Sequence, residues 1–408
     1  MSVNERQAVL DCLIEINEKG SLSHIVIGDV LSKYDYLPPE KKAFIKKVTE
    51  GTTEKLLVID EVLNRYLKNG IDKQKPVIRN LLRMSVYQIL FLDKIPDSAV
   101  CNEAVKLAKS KGLTGLSGVV NGVLRNICRN KDDITTDKGG VPDWIREHLI
   151  ESYGEDKACK ILEDIDRVHP VTVRVRKKIE DMSSFIPTGI LPDAYYLKEH
   201  VSPRNVNGYD DGAFVIQDAA GMHVALMADI KEGQDVLDLC AAPGMKSLHV
   251  YDMGGNVIAC DITERKRALI EDNIRRCVEN TPGHYIKTMV SDATVYNSEF
   301  EDRFDVVLAD VPCSGLGVMG RKSDIRHKTQ KEDLSSLSEY QKKIIDNAVR
   351  YVKKGGKLVY STCTLNPGEN EENAAYAVRK HSLKLQKEHQ FIPGIDKTDG
   401  FYIAVLIK

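Results

Sequence analysis

The stretch Asp235-Val-Leu-Asp-Leu-Cys-Ala-Ala-Pro-Gly-Met-Lys246 joins a short apolar run to a turn of small residues and then to a helical stretch. Four more apolar runs repeat the pattern downstream: Asn256-Val-Ile-Ala-Cys-Asp261, Tyr285 to Asp292, Phe304-Asp-Val-Val-Leu-Ala-Asp310 and Lys357-Leu-Val-Tyr-Ser-Thr-Cys363. Runs apolar on both faces, alternating with helices, predict a doubly wound, Rossmann-like parallel sheet of the α/β class. In such a sheet ligands lie outside the carboxyl ends of the strands, and these runs end in residues able to meet one. Small side chains in Cys240 to Lys246 let backbone approach a ligand just before a helix begins. Asp261, about 20 residues on, offers a carboxylate to both hydroxyls of a ribose. Asp292, in Ser291-Asp292-Ala293, is placed to accept from an adenine amino group. Any one of these aspartates reads as readily as a helix cap or a turn residue. Three strand ends in register point instead to a nucleoside cofactor.

Gly315-Leu-Gly317-Val-Met-Gly320 matches the dinucleotide fingerprint by its letters, but it follows the fourth run and opens no apolar helix. It is expected to be a flexible loop and not an NAD site.

Upstream of the alternating region the texture changes twice. Residues 1–130 are helical in pattern, with Ile78, Leu81, Leu82, Val86, Ile89 and Leu90 on one face and breaks at Pro38-Pro39, Asn69-Gly70, Pro96 and Gly112. Residues 131–140 are polar, end in two glycines and form the best linker candidate. Residues 141–230 mix helical segments with short strand-like runs, Val171 to Val175 and Ala213 to Ile216, and make a small α+β subdomain. The catalytic core is expected over 231–408.

Length and composition fit this division. A chain of 408 residues, 42% hydrophobic and 29% charged, is long enough for two or three domains and too apolar for wholesale disorder. The longest apolar stretch is broken by Arg79, Arg83 and Gln88, so no membrane span is expected, and charges near the N-terminus argue against a secretion signal and for the cytoplasm. Nine cysteines without a C-x-x-C pair and ten histidines without an H-x-x-x-H pair predict reduced thiols and no metal. Residues 1–130 carry 20 Lys+Arg against 15 Asp+Glu in a chain whose net charge is -2. That excess is compatible with a simple solvated surface, and it also permits an RNA-facing front domain.

Two thiols stand at the ends of the last two runs. Asp310-Val-Pro-Cys313-Ser-Gly puts a carboxylate and a thiol three residues apart, and Tyr360-Ser-Thr-Cys363-Thr places another thiol before a helix predicted to start with Asn366 as N-cap, Pro367 at its first position and Glu369 closing a capping box. Lone cysteines are usually inert core residues; two at neighbouring strand ends beside a carboxylate suit a pocket that activates a pyrimidine. A thiolate adding at carbon 6 makes carbon 5 nucleophilic, an acid such as Asp310 steadies the charge reaching the ring, and the base must leave its stack to be reached.

With these motifs the chain resembles the RsmB/Nop/Sun family of RNA cytosine-5 methyltransferases along its whole length. The family's first motif, Cys-Ala-Ala-Pro-Gly-Gly-Lys, appears as Cys240, Ala241, Ala242, Pro243, Gly244, Met245 and Lys246, with Met245 in place of the second glycine. The resemblance implies S-adenosyl-L-methionine as cofactor, bound by that loop with Asp261, Asp292 and Asp310. It implies Cys363 as nucleophile and Cys313 as the second cysteine, which helps release the methylated product. It further implies that residues 1–130 form a NusB-like RNA-binding domain and that the three-part layout serves methylation of 16S ribosomal RNA; a monomer is expected. The family's basic loop after the second cysteine reads Arg321-Lys322-Ser323-Asp324-Ile325 here, and its proline-rich run is reduced to Val168-His169-Pro170. The alternatives are a transfer RNA methyltransferase, a non-catalytic NusB-like RNA-binding factor, and a DNA cytosine methyltransferase that would use Cys313 as nucleophile.

Overall fold

The computed structural model describes residues 4–134, 140–167, 169–199, 201–278 and 284–408. The chain divides into two units, Met1–Arg146 with Lys322–Thr329, and Glu147–Arg321 with Gln330–Lys408.

The main body of the first unit contains, among the described residues, the α-helices α1 (Glu5–Glu18), α2 (Ser23–Lys33), α3 (Pro39–Glu54), α4 (Leu56–Tyr66), α5 (Pro76–Phe91), α6 (Asp97–Ser110) and α7 (Ser117–Arg129). Their starts follow local chemistry. The Asn4 side chain accepts from the Arg6 and Gln7 N–H groups, Pro39 and Pro76 occupy first turns where no amide donor is needed, and Pro96 precedes α6. Helix α5 lies at the centre of the bundle, burying Asn80, Arg83, Ser85 and Gln88 as well as its apolar face. Its buried polar groups are paired: Arg83 forks onto Asp60 at 2.8 and 2.6 Å, and Gln88 accepts from Arg6 at 2.9 Å.

The detached piece of this unit, Lys322–Thr329, includes the short helix Ile325–Lys328. The Asp324 carboxylate accepts from the Ser23 N–H and hydroxyl at 3.1 and 2.9 Å, and His327 Nε2 meets the Thr53 carbonyl at 2.7 Å. Arg326 is fully buried. Burial pushes the His327 pKa down to about 4, so the ring is neutral and donates to that carbonyl. Asp324 and Arg326 of the loop after the second cysteine therefore belong to this packed interior. The predicted linker opens as a single 3₁₀ turn, Lys131–Asp133; its residues 135–139 lie outside the described residues.

In the second unit, a four-stranded antiparallel sheet joins β1 (Thr172–Val175), β2 (Phe185–Pro187), β3 (Ala194–Leu197) and β4 (Phe214–Ile216) in the order β2-β3-β1-β4. The predicted strand runs correspond to β1 and β4. Asp218 then caps the helix Ala219–Ala228 through the Ala220 N–H. Val168 of the shortened proline run lies outside the described residues.

The larger sheet contains β5 (Asp235–Asp238), β6 (Asn256–Asp261), β7 (Ile286–Val290), β8 (Phe304–Asp310), β9 (Val352–Thr362), β10 (Lys384–Phe391) and β11 (Phe401–Ile407) in the order β10-β11-β9-β8-β5-β6-β7. The five strands read from the sequence are parallel, whereas β11 pairs antiparallel with both β9 and β10, so the sheet is mixed. One face packs on Ile344, Ile345, Ala348 and Val349 of the helix Asp333–Tyr351 and on Ala374 and Ala377 of the helix Glu371–His381. The other packs on Ala220, Val224 and Ala225, with Val250 and Ile270. Strand order reverses between β5 and β8, and that switch point is where a doubly wound sheet opens a crevice for a ligand. Among the described residues, no helix is long and apolar enough to cross a membrane.

Candidate active site

The loop after β5 is shaped by its neighbours. The Ala241 N–H donates to the Cys260 carbonyl at 2.8 Å and the Ala242 N–H to Asp261 Oδ2 at 3.0 Å. Asp261 Oδ1 accepts the Ile262 N–H and pairs with Lys266 at 2.9 Å. The buried Asp261 thus first fixes the loop, and a carboxylate with about four acceptor sites keeps capacity for hydroxyls. Gly244 sits at φ 104, a conformation suited to glycine, and launches the helix Met245–Asp252. Met245 packs against the cluster of Val215, Leu248 and Cys277.

Asp292 Oδ1 accepts both the N–H and the hydroxyl of Thr294, at 2.8 and 2.7 Å. Ile262, Val290 and Val295 remain 43%, 44% and 62% exposed beside the two aspartates, leaving apolar surface where a purine could lie. At the end of β5, Asp238 is fully buried; its Oδ2 accepts the Ser247 hydroxyl at 2.6 Å, and among the described residues its Oδ1 has no partner. Burial pushes its pKa up to about 7. A buried carboxylate oxygen without a donor, two further carboxylates and an apolar shelf fit S-adenosylmethionine, whose amino end, ribose and adenine need those groups.

Across the switch point Lys246 Nζ meets Asp310 Oδ2 at 2.7 Å, and the Ser361 hydroxyl donates to Asp310 Oδ1 at 2.8 Å. Burial alone would lower the Lys246 pKa; the Asp310 carboxylate reverses this and raises it, and the resulting cation also attracts charge on Cys363. The sulfurs of Cys313 and Cys363 approach to 3.3 Å, and the Cys363 N–H points at the Cys313 sulfur, also at 3.3 Å. Both thiols are partly exposed. The hydrogen bond with Cys363, burial and the nearby charges of Cys363 and Glu369 hold the Cys313 pKa well above the usual thiol range.

Two local expectations are corrected. Residues 315–320 are a fixed loop, with Leu316 and Met319 buried. The Gly317 N–H donates to the Cys363 carbonyl at 3.0 Å, and the Gly400 N–H donates to the Gly317 carbonyl at 2.8 Å. A Cβ on Gly317 would lie 2.1 Å from the Gly400 carbonyl oxygen, and one on Gly320 would lie 2.5 Å from His169 Nε2. These glycines allow backbone to meet backbone and ring, and Arg321 beyond them is held by Asp399 and the Pro170 carbonyl. The second correction concerns the helix after Cys363, which starts at Glu371 and not near Asn366. Glu369 caps nothing: it is fully buried and turns back toward Ser314. Sequence reading also missed the roles of Ser361 and Gln341, because a Ser or Gln in an amphipathic run carries no local sign of which carboxylate it will meet across the fold.

Comparison with known proteins agrees with this architecture. The family model described as 16S rRNA methyltransferase RsmB/F matches residues 225–407, and that of the NusB family matches residues 3–129. The chain is 31% identical to "Probable ribosomal RNA small subunit methyltransferase B" of Bacillus subtilis, over 99% of this chain and 98% of the relative, and 27% identical to "Ribosomal RNA small subunit methyltransferase B" of Escherichia coli O1:K1, over 99% of both. Among solved structures, that of PH0851 superposes with a TM-score of 0.84 over 100% of both chains at 22% identity. NSun6 from Pyrococcus horikoshii, solved with SFG, superposes with a TM-score of 0.57 over 65% of this chain and 98% of its own, at 21% identity. A helical NusB domain ahead of a methyltransferase sheet, with full-length similarity to these relatives, places the chain in the RsmB/F family of S-adenosylmethionine-dependent RNA methyltransferases.

Proposed function

We propose that this chain methylates carbon 5 of a cytosine in 16S ribosomal RNA through a transient bond between Cys363 and the base. Two sulfurs 3.3 Å apart at the ends of adjacent strands, beside the ion pair of Asp310 and Lys246, are the observation that supports it. Residues 1–130 would bind RNA, residues 141–230 would adjoin the core, and residues 231–408 would carry the chemistry, in a monomer working in the cytoplasm. The 240–246 loop with Asp238, Asp261 and Asp292 would hold S-adenosylmethionine, which when bound supplies an electrophilic methyl group.

The residues divide the remaining work. The Cys363 sulfur, whose charge the Lys246 cation attracts, adds as the thiolate at carbon 6, and the electron pair of the 5,6 double bond becomes available at carbon 5. Asp310, held from both sides by Lys246 and Ser361, accepts from the exocyclic amine and, once protonated, donates to ring nitrogen 3, where charge develops. After transfer a water molecule takes the carbon-5 proton, its bonding pair restores the double bond, and the carbon–sulfur bond breaks with both electrons returning to Cys363. Cys313 assists that release.

The two thiols should fail differently. Cys363→Ala is expected to abolish methyl transfer and leave no covalent RNA complex, whereas Cys313→Ala is expected to trap protein and RNA in a band retarded on a denaturing gel. Exchanged phenotypes would reverse the assignment. Bisulfite sequencing of ribosomal RNA from cells lacking the protein is expected to show one 5-methylcytosine missing, at the position corresponding to cytosine 967; its loss from transfer RNA instead would redirect the substrate.

A further inference from the structure

Behind the two sulfurs lies a buried polar cluster that the reaction as written leaves without a role. Its centre is Glu369, which is 0% exposed. Oε2 accepts from the Ser314 N–H at 2.9 Å and Gln341 Nε2 at 2.8 Å; Oε1 accepts from the Ser314 hydroxyl at 2.6 Å and Asn366 Nδ2 at 3.0 Å. Four neutral donors therefore converge on one carboxylate inside the protein. Three of them, an amide N–H and two carboxamide NH₂ groups, can only donate, so only a group that accepts at both oxygens satisfies the cluster. Leaving any of these donors unpaired in the interior is costly.

The donors come from both sides of the sulfur pair. Ser314 directly follows Cys313, and Gln341 also holds the Pro312 carbonyl at 2.9 Å, so the residues before and after Cys313 are pinned to the same centre. Asn366 lies in the turn after Cys363, and Thr364 meets the Ser314 hydroxyl at 2.6 Å. The Glu369 carbonyl accepts the Tyr360 hydroxyl at 2.5 Å, which ties the cluster into β9. Loops that reach the site from two different strands are thus joined through one side chain.

We propose that Glu369 is a positioning residue for product release, holding Cys313 at its working distance from Cys363. The proposal rests on the reading of Cys313 as the release thiol. The Glu369 charge also lies among the causes that keep the Cys313 thiol protonated.

Glu369→Gln keeps the shape and puts an NH₂ group against at least one donor that cannot turn away, which loosens the junction that holds the Cys313 loop to the Cys363 turn. Single-turnover kinetics on target RNA are expected to show adduct formation within twofold of wild type and release at least tenfold slower, seen as a persistent band on a denaturing gel. A general structural defect would slow both steps together. Wild-type release, or equal slowing of formation and release, overturns the proposal. If E369Q does not fold, Ser314→Ala, which removes one donor and keeps the carboxylate, carries the same test with the same two outcomes. Cys313→Ala run alongside separates the levels: fast release there refutes the role of Cys313 itself, while slow release there with fast release in E369Q refutes only the role of Glu369.

Discussion

Met245 occupies a position where a second glycine was expected, and the structure explains why a long side chain is accepted. It is the first residue of a helix, its side chain packs against the cluster of Val215, Leu248 and Cys277, and the unusual backbone angle is confined to Gly244. Asp238, two residues before this loop, gives the site a pH signature. Folding favours its protonated form, because its pKa rises from the ordinary 3.8 to about 7. The stabilisation is therefore complete below about pH 4 and is lost as pH rises through 7. Asp238→Asn, neutral throughout, is expected to flatten the fall in melting temperature between about pH 4 and 7.5, as measured by calorimetry without ligand; parallel curves for the two proteins would exclude Asp238 as the group responsible. Residues inside a motif, such as Cys240 to Lys246, were legible from sequence because their function constrains a contiguous stretch. Glu369 was not: its letters fit a helix start, and only the fold reveals that its partner is Ser314, 55 residues upstream.

Elements were read well where burial on both faces left continuous apolar runs, as in β5, β6, β8 and β9. The antiparallel pair escaped notice. β10 is nearly all exposed and reads as polar, while β11 is almost wholly buried but follows another strand and not a helix, so no strand–helix alternation marks it. The glycine loop was misjudged for a related reason, since spacing alone does not separate glycines that provide mobility from glycines that permit contact. Gly317 belongs to the second kind. Gly317→Ala would drive a methyl group into the Gly400 carbonyl, and such overpacking typically costs about 1–3 kcal/mol. The expected result is a lower melting temperature together with a drop of at least tenfold in methyl transfer, because the loop that carries Cys313 must shift; wild-type activity would show that the loop adjusts without disturbing the thiol.

At the scale of the whole molecule, the sequence is read as three parts, residues 1–130, 141–230 and 231–408, and nothing in it signals that Lys322–Thr329 packs with the helical front. Those eight residues lie among core motifs, and their contacts with Ser23 and Thr53 span some three hundred positions, too far for any periodicity to register. A direct test follows. Arg326 is fully buried in the intact chain, so trypsin is expected to leave the bond after it uncut. In a truncated protein lacking residues 1–130 the same bond should be among the first cleaved, as mass spectrometry of timed digests would show; equal protection in both would mean that the segment folds on its own.

This interleaving also bears on how the protein is made. The leading helices emerge from the ribosome long before the eight residues that complete their interior, and at about 5–20 amino acids added per second the delay between Arg146 and Lys322 is on the order of 10–30 s. Throughout that interval the nascent bundle must persist with the Ser23 amide and the Thr53 carbonyl solvated. The domain that looks independent by its position in the gene becomes whole only when most of its companion has been translated.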